Sequence, residues 1–141
     1  MSIYADTSFF VSLYLPDRYS GEAERRMASK PRVWLTPLHV AEWTHAISQH
    51  VFRKEISLRE AGLAHNELDR DRESGLWLEV DLPDSVWQTC TQLARKHGPK
   101  LGTRTLDSLH VAAALELEAK SFWTFDERQA KLAIAEGFST S

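Results

Sequence analysis

Short apolar runs alternate with helical patterns along the whole chain, and this alternation constrains the fold more than any other feature. Ile3-Tyr4-Ala5, Val33-Trp34-Leu35, Trp77-Leu78-Glu79-Val80 and Phe122-Trp123-Thr124-Phe125 read as strands, the first of them central. A polar helix is expected from about Arg18 to Ser29, ended by Pro31. Thr36 can cap a second helix with Pro37 at its first position and Val40, Trp43, Ile47 and Val51 along one stripe. Ser57-Leu58-Arg59-Glu60 matches a capping box, and Leu58, Ala61, Ala64 and Leu68 give that helix an apolar face. Asp84 is expected to cap the next helix, with Val86, Trp87, Cys90, Leu93, Ala94 and His97 inward and Gly98 just past its end. Leu106 to about Ala119 is apolar almost all round, the mark of a buried helix. A last helix runs to Gly137, and Phe138-Ser139-Thr140 is a candidate final strand. Such alternation predicts an α/β fold, a parallel sheet with helices on both faces.

At 141 residues the chain fits one domain with a substantial core. Neither a basic leader followed by an apolar stretch nor a membrane-length apolar run is present, so the cytoplasm is the default location. The net charge of -3 gives no global basic field, so any nucleic-acid contact must come from a local patch. Cys90, the only cysteine, excludes an internal disulfide and reads as a buried, inert thiol.

Against this apolar pattern, Asp6, Glu42, Asp107 and Asp126 stand out. Asp6 ends the first strand, Glu42 interrupts Val40-Ala41-Glu42-Trp43, Asp107 opens the buried helix and Asp126 closes the Phe122 strand. Taken singly, each has an ordinary role: a turn residue for Asp6, a cap for Asp107 or Asp126, a half-exposed helical acid for Glu42. Four acids in apolar settings are harder to justify, because an unpartnered buried carboxylate is costly. Helix N-termini favour each by only about 0.3–1 kcal/mol, too little to hold like charges together. A hard divalent cation bound through oxygen supplies the missing charge. Parallel sheets bind ligands at the carboxyl ends of their strands, where all four acids can meet. The hydroxyls of Thr7, Ser8 and Thr124 are placed to orient carboxylates or water.

The segments YADTSFFVSLY, TPLHVAEWTHAI, TRTLDSLHVAAAL and FWTFDERQAKLA resemble the PIN-domain family, specifically its VapC-type toxin branch, in order, spacing and flanking hydrophobicity. The resemblance covers almost the whole chain, residues 1–141 as a single PIN-like domain. It implies a three-layer α/β/α fold around a parallel sheet and a ribonuclease site using Mg2+ or Mn2+. Carried over by position, Asp6, Glu42, Asp107 and Asp126 are the metal-binding acids, with Thr7 or Ser8, and Thr124, at the hydroxyl positions beside the first and last. It also implies a small cognate antitoxin that places a basic side chain near the acids, and a homodimer. Only four residues follow Gly137, so the terminal strand is expected to be clipped or absent.

Phosphodiester hydrolysis needs an activated water and charge stabilisation at the scissile phosphate, and one or two metal ions supply both. On that reading Asp6, Asp107 and Asp126 hold metal, and Glu42 either holds metal or receives the proton of the attacking water. The segment Arg95 to Arg104 carries four cations and no acid and leads into Asp107. Arg104 and Lys100 are its candidate RNA phosphate contacts, against the plainer reading of a solvated loop. His110 reads as a packed core histidine. His39 and Glu42 sit three apart on one helix, but no further His or Cys converges, which disfavours zinc. The five tryptophans read as core, with base stacking as the rarer use. Competing functions are a phosphatase with an aspartyl nucleophile, weakened by Ser8 where a second acid is needed; a catalytically silent PIN-like module that binds RNA or protein; and a structural domain with incidental acids.

Overall fold

Strand β1 (Ser2–Ala5) has a parallel partner on each side, β2 (Arg32–Leu35) on one and β4 (Ser121–Trp123) on the other. Strand β3 (Leu78–Glu79) extends the sheet beyond β2, giving the order β3-β2-β1-β4, all parallel. The computed structural model describes residues 2–140. The central placing of the first strand follows from its burial, with Ile3, Tyr4 and Ala5 all nearly inaccessible.

Alternate side chains divide the core into two halves, as the two-residue period of a strand requires. Ile3, Ala5, Val33, Leu35 and Trp123 face one way, onto α1 (Thr7–Tyr14), α2 (Ser20–Met27), α3 (Pro37–Phe52) and α4 (Leu58–Glu73). Tyr4, Trp34 and Phe122 face the other way, onto α5 (Val86–Leu101), α6 (Thr105–Glu116) and α7 (Glu127–Ala135). The layers are therefore α/β/α. Among the described residues no helix is long and apolar enough to cross a membrane.

Thr36 caps α3 and Pro37 opens it, and Ser57 and Glu60 form the capping box of α4. Each such cap contributes roughly 1 kcal/mol. Trp43 and Ile47 are buried on the α3 stripe, and Cys90 is buried with its thiol pushed up by burial.

Several sequence-based expectations are corrected. Helix α1 follows Asp6 directly, in a segment with no predicted element. Ser85, not Asp84, occupies the N-cap position of α5, and it makes no side-chain cap. The same helix runs through Gly98 and Pro99 to Leu101, because Pro99 lies in the last turn and Gly102 supplies the left-handed residue (φ 64°) that ends it. Leu58 and Trp87 lie outward, 79% and 59% exposed, so neither belongs to the core stripe assigned to it. The terminal stretch contributes one parallel bridge, Ser139 to Ser121, in keeping with the expected clipping of the final strand.

Candidate active site

The chain steps outward from β1 to β2 to β3, then crosses back to place β4 on the far side of β1. The order therefore reverses between β1 and β4, and a crevice opens beyond the carboxyl ends of strands at such a switch point. A cleft of about 440 Å³ lies there, lined by Asp6, Glu42, Asp107 and Asp126 together with Thr7, Ser8, Arg104, His110 and Gln129. All four acids singled out by sequence thus share one cavity.

Asp6 sits between the two strands that define the switch. Its N–H donates to Trp123 O at 3.0 Å, continuing the β1–β4 ladder. One carboxylate oxygen accepts from Ser8 Oγ at 2.5 Å and the other from Thr124 Oγ1 at 2.5 Å. Ser8 Oγ also accepts from Phe125 N at 3.1 Å, and Thr124 Oγ1 accepts from Asp126 N at 2.9 Å. The hydroxyls of Ser8 and Thr124 therefore fasten Asp6 to the β4 end of the cleft. Burial pushes the Asp6 carboxyl up from its ordinary value, only partly countered by His110, the two hydroxyls and the Phe9 N–H.

Glu42 lies in the second turn of α3. Its Oε1 accepts from Thr7 Oγ1 at 2.7 Å and from His110 Nε2. Burial pushes this carboxyl up, but the bond and electrostatic pull of His110, with the Thr7 hydroxyl, outweigh it and hold the group below its usual range. A carboxylate only accepts, so His110 Nε2 carries a proton. The other ring nitrogen, Nδ1, lies 2.7 Å from Tyr4 Oη, and burial keeps that phenol protonated. Sequence reasoning placed His110 in the core, and it is 3% exposed. It also reaches the cleft, and its spacing of three from Asp107 on one helix was the available signal.

Asp107 comes to the strand ends from a helix–helix connection. The turn at Gly102 between α5 and α6 carries it there, with no strand leading into α6. It occupies the first turn of α6 and reaches back to accept from Arg104 N at 2.9 Å. Arg104 Nε lies 3.8 Å from the same oxygen. Asp126 caps α7, accepting from Gln129 N at 3.0 Å. Gln129, 2% exposed, donates from Nε2 to Asp107 O at 3.0 Å and so ties α7 to α6. No sequence signal marked Gln129. Arg104 lines the cleft, whereas Lys100 lies on the exposed last turn of α5 and does not.

One oxygen each of Glu42, Asp107 and Asp126 accepts no hydrogen bond from any described residue. Among those residues no three His, Cys, Asp or Glu side chains stand close enough to cage an ion as oriented. The four acids nevertheless form an oxygen-only, strongly anionic donor set, which suits a hard divalent cation.

Fold and cleft together define a parallel α/β protein with an acidic oxygen-donor site at its switch point. The PIN domain model matches residues 3–135, and the chain belongs to that family. The solved toxin VapC20 of Mycobacterium tuberculosis, described as cleaving the sarcin-ricin loop, superposes with a TM-score of 0.74 at 20% identity, over 99% of this chain and 98% of that one. FitAcB of Neisseria gonorrhoeae gives 0.70 at 17% identity, over 94% and 93%. VapBC2 of Rickettsia felis, bound to a DNA fragment from its promoter, gives 0.64 at 18% identity, over 93% and 92%. At these identities the likeness is one of fold. No curated protein matches the chain by sequence.

Proposed function

We propose that this chain is a divalent-metal-dependent endoribonuclease, the toxin of a type II toxin–antitoxin pair. Membership of the PIN family and the toxin structures that share the fold support the class of activity. The observation that carries the reading is the meeting of Asp6, Glu42, Asp107 and Asp126 in one cleft from four separate elements.

Asp6, Asp107 and Asp126, with the free oxygen of Glu42, would hold Mg2+ or Mn2+. A bound ion lowers the pKa of its water and neutralises phosphate oxygens. The chain's own part is positional. Ser8 and Thr124 fix Asp6, Gln129 and the Arg104 N–H fix the Asp107 turn, and Thr7 and His110 hold Oε1 of Glu42 so that Oε2 can face the cleft. Glu42 is held below the usual carboxylate range, so it is ionised at neutral pH and able to take a proton from water or to hold metal. Arg104 stands at the mouth to meet a phosphate.

A small antitoxin is the proposed partner. A groove of about 370 Å³ beside α1 and α4, floored by Leu13, Leu15 and Leu63 and rimmed by Glu24, Glu60 and Glu67, suits an apolar segment with basic flanks. A cytoplasmic location and a homodimer go with the toxin reading. The silent-module alternative is favoured by one observation, the absence of a ready-gathered cluster of ligands among the described residues. A cleavage assay on structured RNA separates the two: cutting with Mg2+ or Mn2+ that stops on chelation supports the enzyme, and intact RNA under every metal supports the silent module.

A further inference from the structure

A second polar cleft, also of about 440 Å³, adjoins the acid cleft and shares Arg104 and Asp126 with it. Its remaining lining is Leu101, Glu127, Arg128 and Lys131. Arg128 and Lys131 are exposed, and neither forms an ion pair with a described acid. They lie three apart on α7, where like charges repel. Arg128 also stands in the first turn, where the helix dipole disfavours a cation. Asp126 and Glu127 stand nearby, but Asp126 commits one oxygen to the Gln129 N–H. Glu127 stands four residues before Lys131, a spacing that favours pairing, yet no ion pair joins them; two exposed cations so placed in a concave surface, one of them in the first turn against the dipole, are poised for an anion from outside.

The geometry points to this cleft as the seat of a phosphodiester group next to the scissile one, gripped by Arg104, Arg128 and Lys131. This rests on the ribonuclease reading and adds to it a path for the strand: from the acid cleft, past Asp126, over the first turns of α7. Arg104 stands between the clefts and touches both phosphates in turn. Guanidinium groups match phosphate oxygens in paired fashion, and the lysine adds a point charge. The sequence places a basic rim on the α5 side, and α7 adds a second one.

The test measures binding of a fluorescein-labelled single-stranded RNA to the full chain in chelator, by anisotropy, across a salt series. Arg128→Gln/Lys131→Gln is compared with wild type and with Arg59→Gln/Arg70→Gln, an equal charge change on exposed α4 positions. The α7 variant is expected to bind about fivefold more weakly at 0.1 M salt, with a log–log salt slope shallower by about 0.7 per lost phosphate contact. The α4 variant is expected to match wild type. Thermal melts confirm that both variants fold. Unchanged slope and affinity in the α7 variant, or an equal loss in both variants, would overturn the proposal while wild-type cleavage leaves the ribonuclease reading intact. A wild type that neither binds nor cuts RNA would overturn both.

Discussion

Tyr4 Oη and His110 Nδ1 stand 2.7 Å apart inside the core, and this contact sets the direction in which the opposite ring nitrogen points. That nitrogen meets Oε1 of Glu42, so a phenol on β1 orients an acid on α3 through a ring on α6. Both donors to Glu42 use the same oxygen, which leaves Oε2 for the cleft. A residue that looks like packing from sequence thereby governs the site.

Replacing Tyr4 by Phe keeps the ring packing and removes the tether. Metal affinity or cleavage is expected to fall about 10- to 100-fold, the range for groups that orient ligands. Stability should fall by about 1–2 kcal/mol, because His110 loses a buried partner. Calorimetric titration with Mn2+ checks the first, urea melts the second. Wild-type Mn2+ affinity in the variant would remove Tyr4 from the account.

Asp6 is buried and forms no ion pair with a described residue, and burial pushes its carboxyl up against the weaker pull of His110. A folded value above the unfolded one means its contribution is fully present at low pH and is lost as pH rises through the folded value. Asp6→Asn should therefore melt higher than wild type at neutral pH in chelator, while cutting no RNA. Added Mn2+ should raise the wild-type melting temperature and leave the variant where it is. A lower melt for the variant in chelator would count against a charge kept there for binding.

His39 is buried, accepts from Thr36 N at 3.0 Å and contacts Ala5 O at 2.7 Å. Burial first, then the nearby His110, pushes it down to about 3, against the backbone bond to Ala5. The unfolded chain takes up this proton near pH 6.5 and the folded chain does not until about pH 3, so stability is lost as pH falls between them. The stability difference between wild type and His39→Gln should shrink toward pH 4, at up to about 1.4 kcal/mol per pH unit. Urea titrations between neutrality and pH 4 read it, and a constant difference would mean His39 is protonated in the fold.

Arg104 lines both clefts and Lys100 neither. Arg104→Glu is expected to weaken RNA binding at least tenfold, and Lys100→Glu by less than threefold, at physiological salt. Equal losses would return the contact to the whole basic segment.

The strands, caps and acids were legible because each has a local cause: a two-residue period, a Thr-Pro or Ser-x-x-Glu start, an acid against apolar neighbours. What escaped depends on distant contacts. Helix α1 carries Phe9 and Phe10 into the core, yet only eight residues separate Asp6 from Leu15, and its N-cap residue Asp6 gives both carboxylate oxygens to Ser8 and Thr124 and makes no side-chain cap. Gly98-Pro99 reads as a stop, but Gly102 ends the helix instead. Gln129 and Tyr4 matter for what stands opposite them, 22 and 106 residues away in sequence. Trp87 looked inward by spacing because a single helix face cannot show where its packed stripe ends.

The central claim is that Asp6, Glu42, Asp107 and Asp126 jointly hold a divalent ion. Calorimetric titration of Mn2+ into wild type, Asp6→Asn and Asp107→Asn tests it most directly. Saturable binding in wild type, weakened at least tenfold in each variant with the fold retained, is the expected result. Equal affinity in all three proteins would contradict it.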